Sequence, residues 1–333
     1  MKYQPPYTIT SKIIYLIAQI SENIGRLTVL EEIQDSLKLR KANRIRTIQG
    51  SLAIEGNTLS TEQITAILNG KTVIAPPKEV QEVRNAIKAY EAFQQWQPGQ
   101  EVDLLQAHQI LMTGLIDEVG QYRHGGVGVM SGDQVVHMAP PANQVPRLMI
   151  DLLDWLNDSE IHPLIQSSVF HYEFEFIHPF ADGNGRMGRL WQTLILSRWN
   201  PIFANIPVES LIYQNQKSYY EALQASTDQT DSAPFIEFIL QMILDAILSS
   251  NDTAQASDHV TDQASVQVSD QVQRLISALG QDDYTLAELM QFIGLAHRAT
   301  FQKNYLNPAI EAGLIERTIP DKPKSPKQRY RLK

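Results

Sequence analysis

The stretch His178–Arg189, HPFADGNGRMGR, constrains this chain more than any other, because it dictates a helix end, a tight turn and a new helix start in succession. Upstream, VFHYEFEFI at 169–177 is an aromatic-rich helical end suited to anchor the turn in a core. Pro179 disfavours the α region at His178, so the first helix stops there. Asp182-Gly183-Asn184-Gly185 is a turn whose glycines let successive backbone amides point one way, forming an anion-binding nest. RMGRLWQTLILSRW at 186–199 then reads as a strong helix, and its N-terminus adds positive potential at the same spot.

Arg186 and Arg189 are three residues apart and share a helical face. Two permanently charged forks beside an amide nest fit a polyphosphate. His178, flanking that cradle, is suited to take a proton from an attacking hydroxyl, a contribution of about 10²–10⁴-fold in rate. An acid at Asp182 would repel a polyphosphate unless a hard cation bridges them, and Mg²⁺ with oxygen ligands is the natural bridge. A structural histidine and a plain turn explain any one of these residues, but not all of them within one short loop.

The loop resembles the signature of the Fic (filamentation induced by cyclic AMP) family, His-x-Phe-x-Asp/Glu-Gly-Asn-Gly-Arg-x-x-Arg, at every fixed position. The resemblance implies a mainly α fold, a Fic helical bundle with a β-hairpin flap. It implies transfer of AMP from ATP to a Ser, Thr or Tyr hydroxyl of a protein target, this chain itself included, with release of pyrophosphate. His178 would be the base and Asp182 the metal ligand. Asn184 and the amides of Gly183 and Gly185 would cradle the α- and β-phosphates, and Arg186 and Arg189 would grip the β- and γ-phosphates. Phe180 would pack and set the loop. The family's YY-x-x-L patch near the adenine corresponds to Tyr219-Tyr220 before Leu223. The asparagine that some relatives carry shortly after that pair is missing from ALQASTDQ at 222–229.

The rest of the chain reads as helices with one interruption. Apolar spacing of three and four residues runs through 9–50, and further amphipathic stretches cover 78–96, 102–115, 144–157, 163–177, 184–199, 215–226 and 233–249. Ser60 and Gln63 form a capping box for the helix that follows. Between 122 and 141 the pattern breaks into two β-prone pieces, Val127–Met130 and Val135–Met138, around Ser131-Gly132-Asp133, a hairpin signal. By the resemblance this is the flap. Val127, Met130, Val135, Val136, His137 and Met138 would dock a target segment as an added strand, reading little side-chain identity.

The expected domains are an N-terminal helical region at 1–98, a catalytic core at 99–249, a repeat-like polar linker at 250–272 and a C-terminal winged helix at 273–333. In the last of these, TLAELMQFIG and HRATFQKNYLNPAIEAGL look like a helix-turn-helix pair. LIERTI and QRYRLK would be wing strands. Six Lys or Arg and no acid lie between Lys322 and Lys333 in a chain of net charge −9. That end is read either as a phosphate-contacting tail or as a solvated terminus.

The chain has no cysteine, which excludes disulfides, zinc-thiolate sites and cysteine nucleophiles and fits a reducing compartment. FIEFILQMILDAIL at 235–248 carries Glu237, Gln241 and Asp245 at every fourth position, a single polar stripe on a buried helix. The expectation is a cytoplasmic protein without membrane contact.

One upstream stretch is electrostatically odd. SLAIEGN at 51–57 reads as a helix end closed by Gly56-Asn57, yet Glu55 places an acid at the negative end of the helix dipole. A subset of Fic proteins carries an inhibitory helix with the pattern Ser/Thr-x-x-x-Glu-Gly/Asn, which Ser51 and Glu55 match. In that subset the glutamate pairs with the second motif arginine, here Arg189, and takes the place of the γ-phosphate. Silencing 99% of molecules needs about 2.7 kcal/mol, whereas an exposed ion pair supplies about 0–1. The pair is therefore expected to be sheltered, with Leu52 and Ile54 packed beneath it. Removal of AMP or another phosphate-group transfer on the same fold, and a DNA-binding regulator or antitoxin-like switch working through the winged helix, remain open at this level. So do a homodimer and a DNA or protein contact through the winged helix.

Overall fold

The computed structural model describes residues 2–33, 37–131, 134–258, 272, 275–276, 279, 283–293, 298–311, 314–319 and 328–332. The chain divides into two units, Met1–Asp258 and His259–Lys333, each built on its own hydrophobic cluster.

The first unit is a stack of helices: α1 Ser11–Ile33, α2 Leu37–Ile54, α3 Thr61–Leu68, α4 Pro77–Ala92, α5 Glu101–Met112, α6 Val145–Asp158, α7 Pro163–Ile177, α8 Asn184–Trp199, α9 Val208–Gln214, α10 Gln216–Gln229 and α11 Ala233–Asp258. At its centre α7 and α8 pack against each other, and both are buried on nearly every face. A helix buried on most of its circumference has little solvent side, so the loop joining these two is held from both ends by the core. The core runs without a break from Ile13 in α1 to Ile247 in α11, so the N-terminal helices and the motif helices share one cluster.

Two local signals carry through to the structure. Ser60 Oγ accepts from Gln63 N at 3.3 Å, and the Gln63 side chain accepts from Ser60 N at 2.9 Å, closing the capping box of α3. At the end of α2, Asn57 N donates to Leu52 O and Gly56 N to Ala53 O, with Gly56 at φ +89°. This is a Schellman closure, which requires a left-handed residue where Gly56 stands and leaves Glu55 as the last residue before it.

The helix α11 is long and apolar enough to cross a membrane by length and composition, but Phe235, Ile236, Ile239, Leu240, Ile243 and Ile247 are fully buried within the unit. Its polar stripe is partnered: Thr10 donates to Glu237 at 2.6 Å and Gln241 to Asp245 at 2.9 Å. The helix continues to Asp258, beyond the expected stop at 249. NDTAQASD contains no Gly or Pro to break it, and the hydroxyls of Ser249 and Ser250 bond back to the carbonyls of Asp245 and Ala246. The first nine residues of the expected linker are thus helical, and its remaining tandem units at 259–271 lie outside the described residues.

The hairpin pairs β1 Gly128–Ser131 with β2 Gln134–Met138, antiparallel. Gly128 faces Met138 and Val129 faces His137, whereas Met130 faces Val135, so Val136 is an extra residue in a bulge. Among the described residues no third strand joins the pair. The side chains proposed to dock a target at Met130, Val135, Val136, His137 and Met138, and the turn at 132–133, lie outside the description.

In the second unit a helix at Leu286–Ile293 is followed by helical turns from Arg298 to Glu311 and by an antiparallel ribbon of Ile315–Arg317 with Tyr330–Leu332. Tyr284 adds a single bridge to Tyr330. Leu275, Leu289, Phe301, Leu306 and Ile315 form its core. The turn over Gln302–Leu306 is a π-helix directly before Asn307-Pro308, where the proline removes an N–H and crowds the preceding turn. Of the basic end, Arg331 pairs with Glu316 at 2.6 Å and Arg329 donates to Asp283 O at 2.9 Å. Lys322, Lys324, Lys327 and Lys333 lie outside the described residues, as does the segment at 294–297 between the two helical stretches.

Candidate active site

The loop between α7 and α8 closes on itself. His178 ends α7 with φ +50° and ψ +61°, its N–H bonded to Phe174 O at 2.9 Å. The sequence argument removed it from the helical region but did not place it in the left-handed cap, a conformation that turns the chain sharply towards Pro179. The Asn184 carboxamide accepts from Phe180 N and donates to Phe180 O, both at 2.9 Å. Its side chain is thereby spent on the loop, and only its backbone amide faces the role of a phosphate cradle. Gly183 sits at φ +87°, and a β-carbon there would run into the Met112 sulfur at 2.6 Å.

Phe180 is fully buried and stacks on the His108 imidazole, with centroids 3.7 Å apart and planes 4° from parallel. His108 Nδ1 accepts from Gly120 N at 3.0 Å. Its Nε2 therefore carries the proton and donates to Asp182 O at 3.0 Å. Burial pushes the His108 pKa down to about 4, which keeps this ring neutral. A second fastening comes from Arg123, which is 2% exposed. Its guanidinium donates to the carbonyls of His178 at 2.7 Å, Gly125 at 2.8 Å, Pro140 at 2.6 Å and Ile177 at 3.3 Å. One side chain thus ties both feet of the hairpin to the residue proposed as base. Neither His108 nor Arg123 was singled out from the sequence, where a lone histidine on a helix and an arginine before two glycines carry no signal.

The His178 ring is 19% exposed, with Nδ1 3.4 Å from Glu175 O and 4.0 Å from Glu175 Oε2. Burial holds its pKa below the ordinary histidine value, only partly opposed by the Glu175 carboxylate. A neutral imidazole at the mouth of the loop is the form that accepts a proton.

Asp182 is half exposed, and its Oδ1 accepts from Gly183 N at 2.5 Å and from Arg186 Nη2 at 3.0 Å. Its Oδ2 has no hydrogen bond among the described residues. One open carboxylate oxygen fits Mg²⁺, which takes one or two protein carboxylates and fills its other positions with phosphate and water. The described residues contain no cluster of three or more acids and histidines that would hold a metal alone.

Both arginines already face carboxylates. Arg189 is 1% exposed and donates through Nη2 to Glu55 Oε1 at 2.7 Å and to Ser51 O at 2.9 Å, and through Nε to Ser51 Oγ at 3.2 Å. Burial pushes its pKa down, but the charge and hydrogen bond of Glu55, together with Tyr219 and Glu175, outweigh this and hold it above the ordinary value. The carboxylate also lies over the nest: a methyl added to Gly185 would overlap Glu55 Oε1. The shelter is one-sided, because Glu55 remains 34% exposed above a fully buried partner. Leu52 and Ile54 are buried at 2% and 4%, and Gln216 caps the Ile54 carbonyl at 2.8 Å, so the end of α2 is fastened around the pair.

Tyr219 and Tyr220 differ. Tyr219 is 2% exposed, and its hydroxyl lies 3.2 Å from His171 Nε2, so it is core rather than an open wall for a base. Tyr220 is half-buried and meets Tyr219 edge-on at 5.3 Å. Only the second tyrosine has accessible surface for a ligand, because the first faces the α7 side of its helix.

Residues 98–196 match the family model described as Fic/DOC family, and residues 270–333 match the one described as Filamentation induced by cAMP protein Fic-like, C-terminal domain. The crystal structure of a Fic family protein from Desulfovibrio desulfuricans G20 is 56% identical, with a TM-score of 0.74, covering 99% of this chain and 98% of that one. Fic-1 (aa134–508) from C. elegans, at 24% identity and a TM-score of 0.60 over 73% of this chain and 74% of its own, shares the fold. The proteins named Protein adenylyltransferase Fic from Nematostella vectensis and Aedes aegypti are 31% and 29% identical over 233 and 249 residues. These matches cover 65% and 67% of this chain and 52% and 47% of the relatives, so the chain spans about half the length of the curated relatives it matches.

Proposed function

The chain belongs to the Fic family, and from that premise we propose that it is a protein adenylyltransferase held inactive by Glu55. The observation that carries this reading is the Glu55 carboxylate lying against the Cα of Gly185 and bonded to Arg189 at 2.7 Å, an internal anion at a cradle suited to an external one. In the active state ATP phosphates replace it. The amides of Gly183, Asn184 and Gly185 receive the α- and β-phosphates, and Arg189, freed from Glu55, takes the γ-phosphate.

His178 then accepts the proton of a Ser, Thr or Tyr hydroxyl on the target. The hydroxyl oxygen forms a bond to the α-phosphorus, the bond from that phosphorus to the bridging oxygen breaks, and pyrophosphate leaves. Asp182 would hold Mg²⁺, which when bound neutralises charge on the phosphates. The hairpin, with no third strand among the described residues, offers an edge along which a target segment aligns its hydroxyl.

Intact-mass measurement on the Glu55→Gly protein with Mg-ATP tests this, with His178→Ala as control. A mass gain of one AMP that vanishes in the double variant is expected. No gain in Glu55→Gly with either itself or added protein substrate overturns the transfer reading, and a gain of phosphate alone identifies kinase chemistry instead.

A further inference from the structure

We propose that Glu82 is a positioning residue of the nucleotide site, holding the Arg186 fork in place when Asp182 has another partner. This rests on the reading that the loop binds ATP.

Arg186 is 6% exposed, and its guanidinium meets two carboxylates: Asp182 at Nη2, 3.0 Å, and Glu82 at Nη1, 3.5 Å. Its Nε is buried with no hydrogen bond among the described residues. The two acids differ in permanence. Asp182 is half exposed and is the one carboxylate with an oxygen open to a cation, so its hold on Arg186 weakens when the phosphates arrive with their metal. Glu82 sits on α4, next to Val83 at 0% exposure on the helix that also buries Ala86 and Ala89, and is itself only 12% exposed. Its second oxygen is held by Asn57, so in this reading it stays beside Arg186 through the reaction.

A buried arginine with no carboxylate is an uncompensated charge on a long flexible side chain. Glu82 supplies the compensation and fixes the fork. Its other oxygen, Oε2, accepts from Asn57 Nδ2 at 2.8 Å, and Asn57 closes the turn that carries Glu55. Thr58 is fastened to the same helix through Glu79 at 2.6 Å. The polar face of α4 therefore supports both arginines: Arg186 directly, and Arg189 through the turn that presents Glu55.

The test is isothermal titration of Mg-ATP into the full chain in the Glu55→Gly background, together with AMP transfer at saturating ATP. Glu82→Ala is expected to weaken binding about tenfold, the effect of one charge-assisted contact. The rate at saturation should stay within about twofold. Glu82→Gln keeps one acceptor oxygen, enough for Nη1 or for Asn57 but not for both, so it should weaken binding no more than the alanine variant does, and it decides the matter if the alanine variant melts early. Unchanged affinity in both variants, or a lost rate with unchanged affinity, overturns the role given to Glu82. If Glu55→Gly binds Mg-ATP but transfers no AMP, the transfer reading falls while the Glu82 inference is still decided by affinity. If that parent binds no Mg-ATP, both fall.

Discussion

The motif loop at 178–189 and the turn at 51–57 meet at one ion pair but are built in opposite ways. The loop is closed by its own neighbours: Asn184 onto Phe180, Gly183 onto Asp182, Arg186 onto Asp182, each within four residues. The turn closes its backbone locally but is positioned from outside, by Arg189 across 134 residues, by Gln216 across 162 and by Glu82 across 25. A device that must work in every turnover gains from local closure, because its geometry survives movement elsewhere. A device that must let go gains from long-range contacts, because a shift of one helix loosens them without disturbing the loop.

Substitutions that separate the two regions test this comparison, beginning with the loop. In the Glu55→Gly background, His178→Ala should lower the initial rate of AMP labelling by about 10²–10⁴-fold while leaving the melting temperature near that of its parent. The acidic limb of the parent's rate profile should lie below the ordinary histidine value of 6.5, since burial disfavours the charged ring. Arg123→Ala breaks the comparison, because Arg123 is the loop's main long-range fastening. Losing four carbonyl contacts should cost about 3 kcal/mol in denaturant unfolding, and the remaining folded protein should label poorly.

On the side of the turn, Glu55→Gly should raise labelling by about 100-fold, equal to about 2.7 kcal/mol, at some cost in the unfolding midpoint because the buried Arg189 loses its carboxylate. Glu209 probes the floor beneath both regions. It is fully buried and accepts from Thr193 at 2.9 Å and Tyr90 at 3.3 Å, and its backbone abuts Gly50 of α2. Burial pushes its pKa up to about 7 from 4.5. A raised carboxyl stabilises the folded state fully below its unfolded value, and that contribution is lost as pH rises through about 7. Between those limits stability should decline by roughly 2–3 kcal/mol, and Glu209→Gln should flatten the decline in unfolding midpoints measured against pH. The smallest effect belongs to Ser51→Ala, which removes one hydrogen bond to Arg189. It should loosen the brake by about 1 kcal/mol, a fewfold gain in labelling.

The helices at 163–177 and 184–199, the capping box at Ser60 and the hairpin around 131–133 were all legible in the chain, since each depends on spacing within a few residues. The end of α11 was not, because a polar stretch without glycine or proline carries no stop signal. Nor was the difference between Tyr219 and Tyr220, adjacent residues separated only by which side of their helix meets the core. The pairing of Glu55 with Arg189 was reached from the family resemblance and not from any local pattern.

By itself, the sequence determined which groups stand together: an imidazole, a carboxylate, a glycine-rich turn and two guanidinium groups within one short loop, where short covalent connections leave few alternatives. Only the tertiary structure decided what faces them. Packing of α2, α4 and α5 around α7 and α8 brings Glu55, Glu82 and His108 to the loop, and the chain before the hairpin brings Arg123. Each arrives from a distance at which sequence spacing sets no geometry, and each is held by contacts that exist only once the core has formed.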